Sequence, residues 1–149
     1  MLKKILDTDD SFMQLVLRLM LALVFFPHGA QKVFGWFGGI VFSATMGFFV
    51  GKGTPAFLAF LAIMAESVGV LALFAGLFTR FAALGIAVNM VICAAGAHVQ
   101  NGFFMNWMGT QKGEGFEYHI LAVTISLALM LSGGGRWSLD RLLSQRYLR

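Results

Sequence analysis

Charge is what this sequence has least of. Asp, Glu, Lys and Arg make up 12% of its 149 residues, about half the share found in soluble globular domains. A soluble chain of this size could not cover its surface with so few charges, so a water-soluble domain is excluded. The composition equally excludes an intrinsically disordered chain and a nucleic-acid binder. Cysteine is almost missing. Cys93 stands alone in an apolar run, which excludes an internal disulfide, a secreted disulfide scaffold and any CxxC metal or redox pair. What fills the space is apolar: hydrophobic residues reach 58% and the mean hydropathy is +0.79. The length suits one domain and is too small for two. These numbers describe an integral membrane protein.

Four apolar stretches stand out, at 12–34, 56–78, 81–98 and 116–132. A helix needs about 20 residues to cross a hydrocarbon core of ~30 Å, with a lower limit near 17. The runs are continuous and lack the alternation of barrel strands, so helices must satisfy the backbone in lipid. The third and fourth runs are short, which puts their polar ends near the interface. The first is read as a retained helix rather than a cleaved leader, because Asp7, Asp9 and Asp10 precede it and Gln14 and Arg18 interrupt it. The expected fold is all-α: an antiparallel four-helix membrane bundle forming a single domain, with a short amphipathic surface helix at 138–148.

Lys and Arg set the orientation. Lys3, Lys4, Arg18, Arg80, Arg136, Arg141, Arg146 and Arg149 fall on one side, and Lys32, Lys52 and Lys112 on the other. Eight against three places both termini in the cytoplasm. A tight turn at Thr79-Arg80 makes a hairpin of the second and third helices. The outer segments 35–54 and 100–115 are rich in aromatics and glycine, and the first is expected to lie in the interface or dip back into the bundle. Gly133-Gly134-Gly135 ends the fourth helix, Ser138 offers an N-cap and Asp140 sits in the following first turn.

Ionisable groups inside a membrane helix cost at least ~2.5–3.5 kcal/mol near its centre, so they mark where function should be sought. Arg18, Ala22, Phe25, Gly29 and Lys32 share a face of the first helix, with His28 beside it. Pro27 frees the Leu23 carbonyl within the same helix. Glu66, flanked by Ala59, Ala62 and Gly69, falls near the middle of the second helix, and Arg18 is its expected cation. That pair reads equally as a packing device or as a ligand or proton site. On the third helix Asn89 shares a face with Gly85, Ile92 and Gly96, reading first as interhelical glue, while His98 lies opposite, ahead of Gln100 and Asn101. Glu114, Glu117, Tyr118 and His119 open the fourth helix. His28, His98, Glu117 and His119 then share the outer half, where they could serve a metal, a haem or a proton-exchanging quinone. No HxxxH, HExxH or ExxH spacing occurs, so no protein-made metal site is expected and haem is disfavoured. Interfacial histidines bonded to loop carbonyls are the plainer reading. Nucleophilic catalysis finds no support: Ser67 lacks a placed base, and Cys93 lies among alanines that disfavour a thiolate.

Read together, the pieces resemble a known family. They are Arg18 leading to Phe26-Pro27-His28-Gly29 and Lys32, Glu66, Gly76-Leu77-Phe78-Thr79-Arg80, Asn101-Gly102-Phe103-Phe104, Glu117-Tyr118-His119, and Gly135 followed by Ser138-Leu139-Asp140. The set, in this order over nearly the whole chain, resembles the DoxX family of small four-helix bacterial membrane proteins. The resemblance implies a multi-pass protein of the bacterial inner membrane, akin to the small membrane subunit of thiosulfate:quinone oxidoreductase. Its polar signature maps onto Arg18, His28, Lys32, Glu66, Arg80, His98, Asn101, Glu117 and His119. No nucleotide-binding glycine motif, flavin fold or iron–sulfur cysteine set accompanies it, so no self-contained catalytic site is expected.

Three functions follow. The first is a redox subunit whose outer pocket, with Asn89 among its polar residues, takes a quinone while a partner oxidoreductase supplies electrons. The second is a transporter or channel for protons or a small solute, built by homo-oligomerisation. The third is a scaffold that docks a partner enzyme. The resemblance favours the first. The lipid bilayer is the one partner common to all, and no nucleic acid is expected.

Overall fold

In the computed structural model the backbone is described for residues 2–147 and side chains for residues 4–146. Leu148 and Arg149, expected in the surface helix and the inner charge cluster, lie outside the described residues, as does the Lys3 side chain. Among the described residues every regular element is a helix, with no strand.

A short α1 (Leu2–Leu6) precedes the first span, α2 (Phe12–Phe34). Ser11 caps α2 by accepting from the Gln14 N–H. The outer segment is partly helical, as α3 (Phe42–Gly51), tied to α2 by the buried Thr45 hydroxyl donating to the Lys32 carbonyl. The second span is not one helix as expected. It divides into α4 (Ala56–Glu66) and α5 (Val68–Ala75) at Ser67, whose hydroxyl donates to the Ile63 carbonyl at 2.7 Å. Back-bonding of this kind bends helices. Gly29 of α2 packs against the same break, where a Cβ would run into the Glu66 carbonyl.

The hairpin turn lies earlier than expected, because Thr79 already belongs to α6 (Thr79–Cys93). Gly76 and Phe78 make the turn, both with left-handed backbone. The carboxylate of Asp140 caps α6 from the far end of the chain, accepting from the N–H groups of Phe78 at 2.6 Å and Thr79 at 2.9 Å. No local pattern could reveal such a cap. Beyond Cys93 the helix continues as a π turn (Ala94–His98) and a 3-10 turn (Val99–Asn101). The third span therefore reaches 23 residues, from Thr79 to Asn101, rather than stopping short. The fourth, α7 (Glu117–Ser132), keeps its 16 residues, about 24 Å of helix.

The helices close in a ring. α2 packs on α4 and α5, these on α6, α6 on α7, and α7 returns to α2. Ala22, Ala59, Ala83 and Ala122 are buried at the contacts, where small side chains let backbones approach. Phe25, Leu73, Ile86 and Leu129 fill the centre. Leu23, Leu71, Ile92 and Leu131 face outward, as lipid-exposed positions do. Ile92 thus leaves the inward face expected for it beside Asn89.

The inner end is a polar knot. α8 (Leu139–Tyr147) follows the triglycine turn, with the Ser138 hydroxyl accepting from the Arg141 N–H, and α1 packs against it. Arg136 and Arg141 both pair with Asp10, and the Arg136 hydrogen bond holds that carboxyl below its ordinary range. Burial pushes the Asp140 carboxyl up, against the opposing pull of its N–H partners and of Arg18.

Arg18 does not pair with Glu66, as the sequence suggested. It is 1% exposed and spends its donors on carbonyls: Nε on Gly134, one terminal nitrogen on Leu73 and Phe74, the other on Arg136 and Trp137. The reason is one of level. Leu73 and Phe74 end α5, where free carbonyls and the negative dipole end attract a cation. Fourteen residues separate Arg18 from Lys32, ~21 Å along a helix, and it is Lys32 that lies level with Glu66.

Candidate functional site

Glu66 is the centre of the outer half. It is 4% exposed, ion-paired through Oε2 with Lys32 of α2, and accepts at Oε1 from the Asn89 amide of α6. One carboxylate thereby ties three spans together. Through this bond Asn89 joins α6 to α4. The Lys32 side chain is more open, at 24% against 5% for Glu66, so the pair has one dry member and one partly exposed.

The pair borders a cavity of about 340 Å³. His28, His98 and His119 all line it, together with Cys93, Glu114 and Tyr118. His28 is in ring contact with Phe25 below it. His98 donates from Nδ1 to the Glu114 carbonyl at 2.9 Å, which leaves its Nε2 lone pair free. His119 is 6% exposed, and its ring centroid lies 4.3 Å from that of His98. Two buried polar atoms at this wall have no protein partner, His119 Nδ1 and the Tyr118 hydroxyl. Such orphans mark a place where something else completes the bonding.

Other sequence candidates lie elsewhere. Asn101 donates to the Ala97 and Glu114 carbonyls and clamps the loop outside the cavity. Glu117 accepts from the Met105 N–H and lines a separate hollow with Trp107 and Phe103. Arg18 belongs to the inner knot, and Arg80 bonds the Met130, Leu131 and Asp7 carbonyls there. A second hollow of about 180 Å³ runs along the outside between α2 and α4–α5, walled by Phe26, Val33, Phe34, Val68 and Leu71. Glu66 lines this one too.

The residue that sequence reasoning set aside is Cys93. One ligand atom from each of Cys93, His98 and His119 lies within 4.8 Å of the others. Cys93 and His98 are five apart, which in an α-helix puts them ~140° from each other. The π turn cancels that divergence. Its closing bond runs from Val99 N–H to the Ala94 carbonyl, an i→i+5 step that brings residues five apart to one face. The same winding turns His98 in from the opposite face where an α-helix would carry it. A Cys-x4-His spacing in an otherwise α-helical run was the available signal, legible only once the π turn is known.

Spans of this length and hydropathy, closing around an acid shared by three helices, define a multi-pass helical membrane protein with a polar outer pocket. A family model described as DoxX matches residues 13–99, and the chain belongs to that family. A Bacillus subtilis (strain 168) protein named "Putative oxidoreductase CatD" is 31% identical over 115 residues, 77% of this chain and 76% of its own length. A Haemophilus influenzae protein named "Uncharacterized protein" is 26% identical over 144 residues, covering 89% of this chain and 84% of its own length. No solved structure matches the chain.

Proposed function

We propose that this chain is the membrane-embedded subunit of a redox complex and takes a quinone head group in the Glu66 pocket. The observation that carries the reading is the position of Glu66, which lines both the cavity shared with the histidines and the apolar outer hollow. A quinone has the matching division: a ring with two carbonyl acceptors, and a long apolar tail. Lys32 and the unpartnered Tyr118 hydroxyl supply donors for the carbonyl oxygens, and Phe26, Val33 and Leu71 supply a surface for the tail. Reduction takes up two electrons and two protons per ring. Electrons arrive from a partner oxidoreductase. Protons pass through the Glu66–Lys32 pair, whose lysine is the more exposed member. The oxidoreductase name borne by the Bacillus subtilis relative agrees with a redox setting. Below the cavity Phe25, Leu73 and Ile86 pack shut and Arg18 fills the inner end, which speaks against a through-going solute path.

The charge count supports an inner-membrane placement with both termini in the cytoplasm and the pocket toward the far side. The test is thermal unfolding of the purified protein with short-chain quinones. A ligand at a hundred times its Kd adds about 2.7 kcal/mol, so melting rises with wild type and much less with Glu66→Gln. Equal melting with and without quinone and quinol, in wild type, refutes the proposal.

A further inference from the structure

We infer that Cys93, His98 and His119 form a binding site for a copper ion. The inference goes beyond the quinone reading and does not rest on it. Three donors of the right kind converge, a thiol and two imidazoles, with ligand atoms within 4.8 Å of one another. Bond lengths of ~2.0–2.3 Å to a shared ion would set them about 3.5–3.7 Å apart, a closure that side-chain torsions can supply. The second, independent sign is at His119. This ring is 6% exposed, lines the cavity, and has an Nδ1 with no partner in the protein. His98 is already oriented as a ligand, because its Nδ1–H is fixed on the Glu114 carbonyl at 2.9 Å and Nε2 is left bare. Metal-binding histidines are held in this way by a bond from the other ring nitrogen. The π turn that aligns Cys93 with His98 is itself a costly distortion of the kind found at functional sites.

The donor set selects the metal. Thiolate and imidazole suit soft and borderline ions, and no carboxylate belongs to the trio, which leaves little for magnesium or calcium. The Glu114 carboxylate is engaged with the Asn106 N–H at 2.6 Å. Met90 and Met105 line the same cavity and bring thioether sulfur to it. Two histidines, one cysteine and a weak thioether are the ligands of copper centres. Binding replaces the thiol proton of Cys93, which leaves through the cavity.

The experiment is an anaerobic titration of the reduced, full-length protein in detergent with Cu(I), in competition with a chromophoric chelator. The expected result is one copper per chain. Cys93→Ser and His119→Gln each weaken it by more than the 10–100-fold typical of losing an outer partner, and Lys52→Ala, on the outer segment, binds as wild type does. X-ray absorption on the copper-loaded wild type keeps the inference testable if a variant fails to fold, and it should show one short sulfur and two nitrogen ligands. Less than a tenth of an equivalent bound, unchanged affinity in both variants, a shell of thioether and oxygen alone, or displacement of copper by equimolar zinc each overturns it.

Discussion

Removing the Lys32 ammonium while leaving the Glu66 carboxylate is the change this fold is least able to absorb. The carboxylate is 4% exposed and would keep only the Asn89 amide as a partner. Breaking a buried pair from one side costs about 3–5 kcal/mol, because the remaining charge stays buried. With one charge-assisted hydrogen bond retained, Lys32→Met is placed at the low end, about 3 kcal/mol. Glu66→Gln is different in kind. It keeps an acceptor for Asn89, and the lysine it strands is 24% exposed and can swing outward, so the loss is about 1–2 kcal/mol. For a chain of this size each kcal/mol moves the melting temperature by about 2–4 °C. Thermal unfolding in detergent should therefore show Lys32→Met falling by about 6–12 °C and Glu66→Gln by about 2–8 °C. The double variant should recover part of the sum, with a coupling of at least ~1 kcal/mol. A larger loss for Glu66→Gln than for Lys32→Met, or strict additivity, would refute the assignment of dry and open members.

Two further outcomes follow from close contacts. Gly29→Ala would drive a Cβ into the Glu66 carbonyl and force α2 away from the α4–α5 break; the loss of stability should reach the 1–3 kcal/mol of an overpacked core or more, and the same variant should lose quinone-dependent stabilisation. Asp140→Ala leaves the buried N–H of Thr79 and the half-buried N–H of Phe78 without acceptors, at about 1–3 kcal/mol for the first and less for the second. Asp140→Asn keeps one acceptor oxygen and should recover roughly half of that in the same unfolding assay.

The spans were legible where periodicity and length decide them. α2 runs over the residues expected of it, because a long apolar stretch in lipid has no alternative to helix. What escaped was set by partners distant in sequence. The cap of α6 comes from Asp140, more than sixty residues on, so the hairpin turn moved. Arg18 found carbonyls on the triglycine turn more than a hundred residues away, while its expected acid took the lysine from the next polar position on the same helical face. Of the residues expected in a polar pocket, His28, Lys32, Glu66, His98 and His119 line one cavity and Asn89 bonds Glu66, whereas Arg18, Asn101 and Glu117 lie elsewhere, because a shared level in the membrane does not fix which way a side chain turns. Cys93 was set aside for its apolar surroundings, and its approach to His98 depends on a π turn that local composition does not reveal.

The two polar ends also differ in a way that sequence could not have sorted. Both hold charged side chains inside a membrane helix bundle, and charge alone makes each expensive. At the inner end Arg18 has a carbonyl partner for each nitrogen, Asp140 has two N–H partners, and Asp10 pairs with two arginines. The knot spends Arg18, Asp140 and Asp10 on protein partners and leaves only the Thr79 hydroxyl and the Arg80 Nε among its described buried polar atoms without one, so its role is to hold α1 and α8 against the bundle. The outer end is incomplete. Its acid is paired, yet Tyr118 and His119 keep unspent hydrogen-bonding capacity beside a cavity large enough for a ring. A buried polar group without a partner costs about 1–3 kcal/mol, a cost that a ligand seated in this cavity would offset. Unpartnered groups lining a cavity, and not the presence of charge, are what point to chemistry at the outer end.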